Sequence, residues 1–284
     1  MKKVIVTLAL AGCFSAKPDP SLEARVKKLE DTLAKREAAL AFLAEVYDKQ
    51  KDQIEAEAAR EPAEDAIFAI NIRDNLAAGM VEGPASAPVT IVKAFDFACP
   101  YCQKVNDTLE GLVKQYGGKV RVVYKNFVVH PETATPGHLG SCAAAKQQKY
   151  VEFKNAFWDK AFKPYAQSGG NDQASLGHEN VLKIASDLGF DAKRFDADMK
   201  SSECQALIVS DMAELEKFKV SSTPTLFVNG THVAGALPKA EFEKLIDEKL
   251  ALAAKSGVAG ADYYEKVIFG KGEKKFRSKK DPKP

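Results

Sequence analysis

Between residues 21 and 60 apolar side chains recur in alternating steps of four and three. Leu22, Val26, Leu29, Leu33, Leu40, Leu43, Tyr47 and Ile54 follow this seam, which Arg36 and Gln50 interrupt. Ala, Glu, Lys and Leu dominate the stretch, and it contains neither Gly nor Pro. The 3.5-residue period predicts one long helix suited to a coiled coil, extending roughly 60 Å at ~1.5 Å per residue. A lone helix laid on the body, or a solvated spacer, is the alternative; self-association is preferred. From Ala66 the pattern shortens. Residues 66–72 (AIFAINI) read as a strand, 83–88 as a loop, and 88–95 (PVTIVKAF) as a second, β-branched strand. A helix is predicted over 103–116, with Val105, Leu109, Leu112 and Val113 on one face, followed by a strand over 119–127 (KVRVVYKNF). Helical periodicity then fills 141–148, 150–162, 179–188, 192–199 and 204–218. Asn229-Gly230 between apolar runs signals a hairpin, and 238–252 reads as an amphipathic helix.

Composition changes this picture little. In 284 residues, 45% hydrophobic and 28% charged, there is enough apolar matter for a buried core, which excludes a disordered or fibrous chain. Formal net charge is +2, and without Lys2 and Lys3 it would be zero, so charge gives no reason to expect nucleic acid as a partner. The first residues matter more. Met1-Lys2-Lys3 and the apolar Val4–Leu10 have the form of an export signal, too short to span a bilayer. Leu10-Ala11-Gly12-Cys13 resembles a bacterial lipobox, which implies cleavage after residue 12 and a diacylated Cys13. The expected localisation is periplasmic, held to a membrane by that lipid anchor. Phe14 in place of an aspartate favours the outer membrane over the inner. With Cys13 acylated, four cysteines remain for an oxidising compartment: Cys99, Cys102, Cys142 and Cys204.

Cys99-Pro100-Tyr101-Cys102 lies where a predicted strand hands over to a predicted helix, and Pro100 suits a first helical turn. A thiolate there is stabilised by free backbone N–H groups and the positive end of the helix dipole, which makes it a nucleophile near neutral pH. Cys99 is expected to be the exposed, attacking sulfur and Cys102 the inward, resolving one. Half of a zinc site is the other reading of such a pair. His138 and Cys142 are four apart and able to share a helix face, but no second Cys or His knuckle accompanies them. Redox chemistry is preferred, with no cofactor and no resident metal.

Thr223-Pro224 ahead of the hairpin and terminal helix completes a pattern that resembles the thioredoxin superfamily. The resemblance implies a cis Pro224 facing the cysteine pair, with the Thr223 backbone, Pro100 and Tyr101 lining the place where a client strand docks. The long helical stretch between Cys102 and Pro224 resembles that of DsbA-type thiol:disulfide oxidoreductases. The expected fold is therefore α/β, a thioredoxin fold carrying an inserted helical domain and preceded by a long N-terminal helix. Its divisions are a signal at 1–12, a linker at 13–20, a stalk at 21–62, the thioredoxin domain at 63–136 and 220–256, and the insertion at 137–219. A C-terminal extension at 257–284 ends in a basic tail that reads as disordered. The resemblance also implies a structural disulfide between Cys142 and Cys204, two buried free thiols being the alternative. Relatives often place a buried acid six residues before the first active-site cysteine. Here that residue is Lys93, which is no carboxylate base but, if charged, would lower the Cys99 pKa, and it stands with Asp96 as a candidate for handling protons. Asp96 is the substitute proton carrier or, equally, a cap for the active-site helix.

The implied activity is thiol–disulfide exchange on exported proteins through a mixed disulfide at Cys99, the oxidase direction slightly preferred. The expected partners are client thiols and disulfides, an unidentified membrane redox protein and further copies of the chain held through 21–60. An oligomeric isomerase or reductase is the alternative. A non-enzymatic lipoprotein binding Cu(I) through Cys99 and Cys102 is a third reading.

Overall fold

A computed structural model describes residues 19–283; the signal segment, Cys13 and most of the linker lie outside the described residues. Two units are distinguished. The first consists of helix α1, Pro20–Ala58, 39 residues in which no side chain is buried. Its seam residues are all exposed, Leu29 by 69% and Val26 by 46%. The helix thus forms over the range the heptads predict, with its apolar stripe open.

The second unit is built on a five-stranded sheet. After a short helix α2 (Arg73–Ala77) come β1 (Val81–Glu82), β2 (Val89–Phe95), helix α3 (Pro100–Gln115) and β3 (Val120–Asn126). Helices follow: α4 (Pro131–Lys146), α5 (Tyr150–Phe157) running through a π-helical turn into α6 (Lys163–Gln167), α7 (His178–Asp187), α8 (Ala192–Met199) and α9 (Ser202–Glu216). The chain closes with the hairpin β4 (Thr225–Val228) and β5 (Thr231–Ala234), then α10 (Lys239–Lys255) and α11 (Gly260–Tyr263) with its own π-helical turn. Strand order is β1-β3-β2-β4-β5. β2 pairs parallel with β3 and antiparallel with β4, so it lies at the centre, and all seven of its residues are buried. A central strand covered on both faces accounts for its near-continuous apolar run. Val89, Ile91 and Phe95 enter a core shared with α3 and the helical insertion, and Val92 and Ala94 face a second core. Asn229 and Gly230, both with positive φ, make the β4–β5 turn that this dipeptide favours.

Three expectations need correcting. Residues 66–72 do not form a strand: the only ladder contact there is an isolated bridge from Phe68 to Glu273. The backbone is held instead by Phe68 N–H to Gly230 O at 2.8 Å and Ala69 N–H to Glu273 O at 2.8 Å. Its apolar residues serve the second core, where Phe68 stacks on Phe276 and meets Phe218 and Phe227 edge-on. The basic tail, read as disordered, is folded through Lys283 because its charges meet acids at the start of the unit. Arg277, 8% exposed, bonds Asp65 at 2.7 Å and Glu273 at 3.0 Å, and Lys279 bonds Glu61 at 2.6 Å. Finally, the first insertion helix starts at Pro131, ahead of both the 137 boundary and the 141 helix start. Pro136-Gly137 lies inside α4. A Cβ at Gly137 would come 2.7 Å from Phe157, and one at Gly140 would come 2.7 Å from Phe153 and Val181. The glycines are there for close helix packing.

Candidate redox site

Cys99 is the N-cap of α3, in extended backbone, with Pro100 opening the helix. Its backbone carbonyl accepts from the N–H groups of Cys102 and Gln103, which starts the helical ladder. Cys102 stands one turn on and is fully buried. Cys99 retains only 5% exposure, less than the open position expected of an attacking sulfur. The loop before β4 lies close to it: the Thr223–Pro224 bond is cis, and the Cys99 thiol donates to the Thr223 carbonyl at 3.3 Å. The two segments, 124 residues apart in sequence, therefore meet at one sulfur. Beside them Tyr101 is 64% exposed.

The two thiols ionise in opposite directions. Hydrogen bonding from Cys102 Sγ, then from the Thr223 side chain and the backbone N–H groups of Cys102 and Tyr101, lowers Cys99 to about 6 against the burial that opposes it. Burial, together with the hydrogen bond to Cys99, pushes Cys102 well above the ordinary thiol value. Such a pair has one thiolate ready to attack and one protonated partner held in reserve.

Asp96 is fully buried at the end of β2, but its carboxylate is committed elsewhere. It accepts from the N–H groups of Ala98 at 2.7 Å, Val129 at 2.6 Å and His130 at 2.9 Å, with His130 Nδ1 at 3.2 Å. It clasps the active-site loop to the loop after β3, and the cap of α3 is Cys99 itself. Lys93 lies inside the sheet, its Nζ donating to the Cys102 carbonyl at 3.0 Å. Burial depresses its pKa to about 8, countered mainly by the nearby Cys102 charge.

Cys142 on α4 and Cys204 on α9 are bonded, S–S 1.98 Å, so Cys142 does not present a free sulfur beside His138. His138 is instead a core residue: its Nδ1 lies 2.8 Å from Asn126 Oδ1, and its Nε2 accepts from Phe97 N–H at 3.4 Å. Burial lowers its pKa to about 4. Asn126 in turn donates to Asp211, which also receives Lys125 at 2.6 Å and Asn75 at 2.9 Å. This chain runs from α9 through β3 to the active-site loop, and no sequence motif announces it, because its members are scattered from 75 to 211. Among the described residues no cluster of three or more His, Cys, Asp or Glu is arranged to hold a metal ion.

Comparison with known proteins agrees with this geometry. The family model described as Thioredoxin matches residues 75–248. The Na(+)/H(+) antiporter NhaA of Herminiimonas arsenicoxydans is 29% identical over 156 residues, 55% of this chain. The chain spans 23% of that antiporter's length, and among the described residues no helix is long and apolar enough to cross a membrane. A probable disulfide bond formation protein D of Bacillus anthracis is 29% identical over 176 residues, 59% of this chain and 76% of the relative. Among solved structures, oxidised BdbD from Bacillus subtilis superposes with TM-score 0.53 at 18% identity, over 67% of this chain and 99% of its own. Wolbachia pipientis α-DsbA1 gives TM-score 0.53 at 16% identity, over 62% and 93%. Proteus mirabilis ScsC gives 0.50 at 18% identity, over 83% and 100%. The chain belongs to the thioredoxin family, and its fold is that of the DsbA-like oxidoreductases.

Proposed function

We propose that the protein exchanges thiols and disulfides with exported proteins through a mixed disulfide at Cys99, which a second client thiol resolves in the oxidase direction and Cys102 resolves in the reductase direction. The observation that carries this reading is the Cys99 sulfur at the amide end of α3, 3.3 Å from the carbonyl beside cis-Pro224. In the oxidase direction a client thiolate attacks Cys99 and breaks the Cys99–Cys102 bond. A second client thiolate then attacks the client sulfur of the mixed disulfide, a client disulfide closes, and Cys99 leaves as the stabilised thiolate. The Thr223 backbone, Pro100 and exposed Tyr101 are the proposed docking edge for the client strand.

The oxidase direction is favoured because a stabilised thiolate stabilises the reduced form, which raises the reduction potential. The Cys142–Cys204 bond and the export signal both fit an oxidising, periplasmic setting, with Cys13 as the outer-membrane anchor. The open stripe of α1 supports a homo-oligomer with several active sites, as does the unbroken helical span of the stalk. Refolding of reduced ribonuclease tests the assignment. Wild type carrying the Cys99–Cys102 disulfide speeds recovery of activity, and Cys99→Ser and Cys102→Ser, neither of which can form that disulfide, abolish the effect. Equal rates for wild type and Cys99→Ser would refute it.

A further inference from the structure

Lys93 occupies the middle of β2, between Tyr124 of β3 and Leu226 of β4. It has 0% exposure, and the hydrogen bond it donates goes to the Cys102 carbonyl. Around its Nζ stand three aromatic rings, those of Phe95 and Tyr124 at 5.6 Å and Trp158 at 5.9 Å. An ammonium in such a place needs a counter-charge, since ring faces offset only part of its lost hydration.

The charged groups that face it are few. Glu82 on β1 already takes Lys154 Nζ at 2.8 Å and the Tyr124 hydroxyl at 2.8 Å. Lys154 on α5 repels Lys93. His138 on α4, whose ring lies 5.1 Å from that of Phe95, is held neutral by burial, and Asp96 is committed to backbone N–H groups. The Tyr124 phenol stays protonated, pushed up by burial. That leaves the sulfurs of Cys99 and Cys102 on α3 as the negative partner.

Resting on the exchange reaction above, we propose that Lys93 is the charge partner of the dithiol, protonated while Cys99 is a thiolate and deprotonated when the Cys99–Cys102 disulfide forms. The balance closes without a further reactant. A client dithiol brings two protons and two electrons. The electrons break the Cys99–Cys102 bond, one proton ends on Cys102 and the other on Lys93, and Cys99 is left as the thiolate. Run backwards, a client disulfide is reduced while Lys93 and Cys102 give up those protons. Lys93 acts through the charge of the pair and is a positioning residue in this sense.

The test equilibrates wild type, Lys93→Met and Lys93→Arg against the same glutathione buffers from pH 6 to 9. Reduction of Lys93→Arg, which keeps its charge, takes up one proton, on Cys102, whereas wild type takes up a second on Lys93. The wild-type-to-Arg ratio of equilibrium constants for reduction is expected to fall by up to tenfold per pH unit between pH 6 and 8, about 30 mV per unit, and to level off above. Lys93→Met removes the charge that favours the Cys99 thiolate, so its second proton goes to Cys99 and its Cys99 alkylation midpoint should rise above that of wild type; an unmoved midpoint would refute the pairing. A ratio flat across pH 6–8 overturns the proposal. If neither variant folds, the wild-type slope decides alone, one proton per two electrons in that interval being the refuting result. Failure of wild type to form the Cys99–Cys102 disulfide at all would instead remove the exchange reaction itself, and the proposal with it.

Discussion

Cys99 and Cys102 carry the same thiol one helical turn apart, and what separates them chemically is the deeper burial of Cys102 and who donates to whom. Cys102 Sγ is the leading donor to Cys99, so the low value of Cys99, about 6, depends on its partner keeping a proton. Alkylation of the reduced protein should therefore follow a curve with its midpoint near pH 6. Cys102→Ala should move that midpoint upward by removing the donor, and an unmoved midpoint would show that the helix end alone sets it. A thiol depressed from 9.0 to about 6 stabilises the folded dithiol form fully above pH ~9, and this is lost as pH falls through about 6. Melting temperatures of the reduced form, measured against the oxidised form at pH 5 and 8, should diverge in its favour at the higher pH. The cysteines and Pro224 are legible in sequence because their motif is local or their residue type is singular. The commitments of Asp96 are not legible: its acceptors are filled by Val129 and His130, from another strand's loop, which no local pattern encodes.

At the scale of elements, legibility divides along the same line. α1, β2, α3 and α8 follow from periodicity, since each is specified by its own residues. The start of α4 and the path of 66–72 depend on distant partners. α4 keeps Gly137 and Gly140 because rings from α5 press on it, so Gly140→Ala should destabilise by about 1–3 kcal/mol through overpacking against Phe153 and Val181. The segment at 66–72 takes its partners from the folded tail, whose lysines and arginine imitate a solvated run until Asp65, Glu61 and Phe68 are near. Phe276→Ala should accordingly lower stability by about 2 kcal/mol on loss of apolar burial, measured by urea titration, while leaving Cys99 alkylation unchanged. The Cys142–Cys204 bond ties α4 to α9 across 62 residues. Replacing both with Ser should cost on the order of 4 kcal/mol if chain entropy dominates, again without altering Cys99. A change in the Cys99 midpoint would mean that the insertion also shapes the redox site.

At the scale of the whole molecule, the apolar seam of α1 bears on how many active sites act together. α1 carries Leu22, Val26, Leu29, Leu33, Leu40, Leu43, Tyr47 and Ile54 along one seam, each between 46% and 69% exposed. Full burial of an apolar side chain of this size is worth about 1.5–3 kcal/mol, so covering the seam against other copies provides a strong drive to associate. In such an association Arg36 and Gln50 would weaken the drive but also fix register, since slipping by a heptad would set a polar group against leucine. Sedimentation of the mature chain should show an oligomer whose mass falls to that of a single chain on Leu29→Lys/Leu40→Lys/Leu43→Lys substitution. Cys99 alkylation and glutathione equilibrium, properties of the second unit alone, should stay as in wild type. Oxidation of clients with one disulfide should then be unaffected by the substitutions. Correction of multiply mispaired clients, which profits from several sites held near one chain, should drop. If the substituted monomer corrects such clients as well as the oligomer does, the stalk serves reach and not collaboration among sites.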